Sequence, residues 1–183
     1  MFSGDLVFKD YGYDVYKTVY EFLFKPILKN CGLNEERLLI VPGNHDMQRD
    51  DELDVIKNSL ALISTNEELE DFCKSNEQVK LSMNRFKNYN KFIHDKFGKI
   101  ANVTKFHTTF MREINSKKYG FVALNSSWRC YESTKDRGNL LFPLSQVHEA
   151  FSKLDGCELV FCAMHHNLSD IKDFVAQDIE DVI

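Results

Sequence analysis

The hydrophobic positions of this chain switch repeatedly between two periods. Leu38 to Val41 is an apolar run of strand type that stops at Pro42-Gly43, and Glu158 to Met164 reads as a buried strand that delivers His165-His166. Residues 1 to 7 read as the tail of another strand leading into Asp5. Helical spacing takes over at once. Val15, Val19, Phe22, Leu23 and Ile27 fall on one face, with Asp14 as N-cap and Asn30-Cys31-Gly32 as the stop. Pro26 inside that pattern should kink the helix or end it early.

From about residue 50 to 99 the chain is charged and mostly helical in pattern, which predicts a helical insertion between two strands that could shape a substrate pocket. Val79, Met83, Phe86, Phe92, Ile93 and Phe97 predict one long amphipathic helix with Gly98 as its stop and core or lid packing as its role. Asp50-Asp51-Glu52 and Glu67-Glu68 read as solvated or capping charges. Phe106 to Ile114 and Tyr119 to Leu124 are strands joined by a turn at Asn115-Ser116-Lys117-Lys118. A polar loop from Asn125 to about Asn139, a helix from Pro143 to Leu154 and a last helix from Asp170 to Ile183 complete the series. Strands alternating with helices around a central hairpin imply a single α/β layered domain over residues 1–183.

Composition narrows the classes. At 183 residues and 43% hydrophobic content, one well-cored domain is expected. The formal charge of −5 gives no strong signal for nucleic acid. The 5 cysteines are odd in number, widely spaced and contain no Cys-x-x-Cys pair, so reduced thiols in a cytoplasmic protein are expected. No window approaches the roughly 18 apolar residues of a membrane helix, and the N-terminus lacks the basic region of a signal peptide. No membrane partner is therefore expected.

Three apolar stretches end in metal-competent side chains: Asp5, then Asn44-His45-Asp46, then His165-His166. Ligands at the ends of neighbouring strands converge on one crevice. A carboxylate, an amide oxygen and an imidazole together suit Mn, Fe or Zn. Each residue alone also has a plain structural reading, since an Asp after a strand usually caps a turn. His94, His107 and His148 lack such context and read as surface or satisfied structural histidines.

The run Val41-Pro42-Gly43-Asn44-His45-Asp46 resembles the third signature block of the calcineurin-like metallophosphoesterases. Asp5 and His165 are similar to the second and fourth blocks, in the right order. The resemblance implies a metallophosphoesterase-type β-sandwich flanked by helices, with two divalent metal ions and hydrolysis of a phosphate ester by a metal-bound hydroxide. It implies metal ligation by Asp5, Asn44 and His165, with Asp5 bridging. His45 becomes the catalytic imidazole and Asp46 the group that orients it by hydrogen bond, while His166 is left as a pocket residue. The run Leu124-Asn125-Ser126-Ser127-Trp128-Arg129 resembles a loop of modules attached to bacterial signalling or defence ATPases. That implies a fused ATPase as partner, with Arg129 reaching a substrate phosphate or lying solvated.

The family's first block, Asp-x-His, and fifth, Gly-His-x-His, are not in the chain. The expectation is a fragment incomplete at both ends, whose sheet has a gap and whose own activity is weak. The alternative is a degenerate, non-catalytic module of the same fold that binds a partner or regulates one. A third reading is a split enzyme completed by another segment.

Overall fold

The computed structural model describes residues 1–9, 12–48, 53–131 and 133–180 of the chain. The expected charges at Asp50, Asp51 and Glu52 and the last three positions of the expected C-terminal helix lie outside the described residues. Helices and strands are mixed as expected of an α/β protein. In chain order they are α1 (Tyr13–Val19), α2 (Lys25–Asn30), α3 (Asp54–Leu62), α4 (Asn66–Lys74), α5 (Asn76–Ser82), α6 (Lys87–Phe97), β1 (Asn102–Val103), β2 (His107–Ile114), β3 (Lys117–Leu124), α7 (Ser133–Asp136), α8 (Leu144–Ser152), β4 (Leu159–Met164) and α9 (Asp173–Glu180).

The strands form one sheet in the order β1-β2-β3-β4, antiparallel except for the parallel pair β3 and β4. The hairpin turn is tighter than expected. Asn115 and Ser116 alone connect β2 to β3, both with positive φ (53° and 63°), the backbone of a type I′ turn whose twist matches its strands. Parallel pairing of β3 with β4 needs a crossover, and α8 lies within it. Beneath the crossover, a Cβ on Gly120 would meet Leu154 Cδ1 at 2.9 Å and Val160 Cγ2 at 3.1 Å, so glycine lets that layer sit close on the sheet.

On the opposite face Phe110, Phe121 and Phe161 stack across three strands, with centroids 5.0 and 5.3 Å apart. Leu39 and Val41 pack there with Ala123. The Leu38 to Val41 stretch is extended but makes only a short parallel bridge with Phe2, through Phe2 N–H to Leu39 O and Val41 N–H to Phe2 O. β4 was expected to be a buried strand and is instead the edge of the sheet. Leu159 and Phe161 are consequently exposed, because no described strand pairs with its outer side.

The first helix corrects the expected face. A π-type turn over Tyr20–Phe24 separates α1 from α2, and Pro26 falls in the first turn of α2, where its missing N–H costs little. The chain thus continues through Pro26 to Asn30. With the wider turn included, the inward positions step by four: Tyr16, Tyr20, Phe24 and Leu28 are buried. Phe22 (81% exposed), Leu23 and Ile27, expected inside from a 3.6-residue period, point outward. The N-cap is Gly12, with Asp14 in the first turn.

The expected long helix over Val79 to Phe97 is two, α5 and α6, separated by a 3₁₀ turn at Asn84–Phe86. The break lets Arg85 turn into the core and donate from Nη2 to Cys130 O at 2.5 Å. Helices α3 to α6 share one hydrophobic cluster with the sheet and with α1. Tyr16 stacks on Phe92 at 5.7 Å.

His107, expected to be a satisfied or surface histidine, is 3% exposed, and neither ring nitrogen has a hydrogen-bond partner among the described residues. Burial holds its pKa below the ordinary value. The unfolded chain then takes up the proton first as pH falls, so this site's contribution to stability is present above about 6.5 and is lost below it. In urea unfolding from pH 7 to 5, wild type should lose stability relative to His107→Phe, with a difference in slope approaching about 1.4 kcal/mol per pH unit. Parallel profiles would contradict this.

Candidate metal centre

Three hydroxyls hold the turn after Leu38 to Val41 from beneath. Tyr89 Oη donates to Ile40 O (3.3 Å), Ser127 Oγ to Pro42 O (3.2 Å) and Tyr16 Oη to Asp46 O (3.0 Å). Asp46 is fully buried. Its Oδ2 accepts from Gly43 N (2.8 Å) and Leu6 N (3.1 Å), and Oδ1 accepts from Val7 N (3.2 Å). This carboxylate therefore stitches the Asp5 loop to the turn. Burial pushes it up to about 6, partly offset by the three amides that favour its charged form.

That arrangement corrects the role expected for Asp46. Both its oxygens are spent on backbone amides and do not orient His45. The imidazole is held from the other loop: Nδ1 lies 2.7 Å from Phe8 O, and the ring stacks on Phe8 at 5.6 Å. With Nδ1–H donating to that carbonyl, Nε2 is the nitrogen left for chemistry.

Asp5 has φ of 54°, a left-handed conformation uncommon outside glycine, and strain of this kind concentrates at functional sites. Its Oδ1 accepts from His45 N–H at 3.0 Å. Gly43 permits the approach, since a Cβ there would lie 2.1 Å from that oxygen. Asn44 sits between Gly43 and His45, both in contact with Asp5. Gly4 repeats the device. A Cβ on it would lie 2.2 Å from His165 Nδ1.

His165 arrives at the end of β4. Its Nδ1 is 2.8 Å from Ser3 O, and its Nε2 is 3.7 Å from Asp5 Oδ2. Donation from Nδ1 to a carbonyl leaves the Nε2 lone pair facing the carboxylate, the tautomer a metal ligand needs. The separation is too long for a hydrogen bond. It is within a few tenths of an ångström of the roughly 3.0–3.5 Å between two ligands each ~2.1 Å from one ion. Asp5 and His165 thus fit a shared divalent cation. Among the described residues, no group of three or more His, Cys, Asp or Glu is gathered closely enough to hold one, and the third donor that the resemblance implies is the Asn44 amide.

A comparison with known families matched none, and neither a curated protein nor a solved structure matches the chain.

The other two expected site residues are His166, whose ring lies edge-on to that of His165 with centroids 4.8 Å apart, and Arg129. His166 faces the Asn125 to Cys130 segment: Nδ1 is 3.1 Å from Ser126 Oγ, Nε2 is 3.4 Å from Cys130 Sγ, and its N–H donates to Ser126 Oγ. Burial, then the charge of His165, hold its pKa below the ordinary value. The segment is the start of the expected polar loop, and it is buried from Asn125 to Cys130. Trp128 anchors it, edge-on to Phe106 and donating from Nε1 to Leu141 O. Arg129, expected either to reach a substrate phosphate or to lie solvated, is buried, its guanidinium carbon 3.9 Å from the centre of the Tyr131 ring.

Sequence reasoning missed Phe8 and Ser3, because a main-chain carbonyl carries no side-chain signal. Gly4 and Gly43 were legible as glycines beside ligand positions, but not as contacts.

Asp46→Ala would leave three buried amides unpaired and should lower unfolding free energy by about 3 kcal/mol or more. His45→Ala, at a partly exposed ring, should change it by about 1 kcal/mol or less. Urea unfolding of both variants checks the assignment, and equal losses would contradict it.

Proposed function

We propose that the chain is a metal-dependent phosphoric ester hydrolase domain of the calcineurin-like metallophosphoesterase type. The observation that carries this reading is the approach of Asp5 to His165 beside the Asn44-His45 turn, with His165 Nε2 3.7 Å from Asp5 Oδ2. Asp5, Asn44 and His165 would hold a divalent ion, with Asp5 able to bridge to a second. A bound ion of the Mn, Fe or Zn type supplies an activated water and neutralises charge on the phosphoryl oxygens.

The chain's own residues do the rest. Phe8 O fixes the His45 ring, so that Nε2 carries the proton delivered to the leaving oxygen when the imidazole is charged. Asp46 keeps the two loops at a constant separation. The packing of Leu39 and Val41 over Ala123 supports a second layer above the sheet, as in the family's β-sandwich. Three protein donors make a weak site, so slow turnover is expected of this chain.

One observation favours a second reading, a non-catalytic module of the same fold: His, Cys, Asp and Glu side chains form no group of three at the site among the described residues. Titration with Mn²⁺ separates the two. Binding should weaken at least about tenfold in Asp5→Asn and in His165→Ala. His45→Ala should keep Mn²⁺ affinity but lose about 10²-fold in turnover of a chromogenic phosphodiester. Absence of Mn²⁺ binding, or binding indifferent to Asp5 and His165, would sink the hydrolase reading.

A further inference from the structure

An aromatic side chain beside the candidate centre is held almost wholly in water. Phe8 is 87% exposed. Single exposed aromatic residues are ordinary on a protein surface, but the contacts of this one are not. Its carbonyl oxygen is 2.7 Å from His45 Nδ1, and its ring stacks on the same imidazole with centroids 5.6 Å apart and planes 21° from parallel. Behind it, Leu6 and Val7 are buried and donate their amides to Asp46. The loop therefore keeps the Phe8 ring in a set place against the imidazole, where the hydrophobic effect alone would fold it into the core.

That place is next to the bond to be broken. The proton carried by His45 Nε2 goes to the leaving oxygen, which must lie about 3 Å from that nitrogen. Whatever the oxygen carries begins beside the imidazole on which the Phe8 ring is stacked. An aromatic face gains most from a flat ring laid against it in an offset stack. A ring already positioned on a rigid loop makes that contact with little ordering cost.

We infer that Phe8 is a specificity residue, a platform for a planar aromatic group on the leaving side of the ester, either a simple aryl ring or a nucleobase. The inference rests on the hydrolase reading and adds to it the chemistry of the substrate. The chain's charge of −5 makes a small ester the ligand class in preference to a polynucleotide.

The test is calorimetric titration of the Mn²⁺-loaded whole chain with two pairs of ligands, run beside turnover of a chromogenic phosphodiester. Within each pair the difference is the ring: benzylphosphonate against methylphosphonate, and adenosine monophosphate against ribose phosphate. In at least one pair the ring-bearing member should bind about tenfold more tightly. Phe8→Ala should reduce that advantage to about twofold or less, and Phe8→Tyr should keep it. The side chain is exposed, so both variants should fold, and unfolding midpoints near wild type would show it. An advantage confined to the first pair assigns a simple aryl ester, and one confined to the second a nucleoside ester. An equal weakening of all four ligands in Phe8→Ala would mark a structural role and overturn the inference. Turnover without a ring advantage in either pair would overturn it alone, whereas absence of both turnover and Mn²⁺ binding would overturn the hydrolase reading and this inference with it.

Discussion

The candidate centre depends on one buried carboxylate. Asp46 lies beneath two loops that are far apart in the chain and takes amide hydrogens from both, Gly43 on its own turn and Leu6 and Val7 on the other. A charge in that position is costly unless its lone pairs are filled, and three donors fill them. The result is a fixed distance between Asp5 and the Asn44-His45 turn. Without the clamp, the left-handed backbone of Asp5 would have little to hold it.

The second constraint is closeness. Gly4 lies against His165 and Gly43 lies against Asp5, each at a distance that excludes a β-carbon. Ser3 O then sets the tautomer of His165, and Phe8 O sets that of His45. The backbone of one short loop therefore orients both imidazoles and presents a carboxylate between them. Ligand geometry of this kind comes from main-chain carbonyls as much as from the ligands themselves.

Much of the fold was legible. The hairpin, the helix after Pro143 and the strand ending at His165 follow from alternation, turn residues and caps, which are local properties. The first helix was legible as a helix, but its buried face was not. A π-type turn at Tyr20–Phe24 changes the step from 3.6 residues to four, and Phe22 is turned out while Tyr20 and Phe24 are turned in. The Asn125 to Cys130 segment was legible as a polar loop, but its burial was not. Its polar residues satisfy one another and the backbone, as when Ser127 N–H donates to Asn125 Oδ1, so polarity there does not mean exposure.

By itself, the sequence determined the hairpin, β4, most of the helices and the candidate ligands: a carboxylate, an amide and an imidazole, each placed after an apolar run. Only the tertiary structure decided what Asp46 does, since nothing local distinguishes a carboxylate that orients a histidine from one that binds amides forty residues away. It also decided that His166 faces Ser126 and Cys130 while His165 faces Asp5. The two rings touch edge-on just beyond the end of β4, and the groups that the fold packs around each decide which of them reaches Asp5.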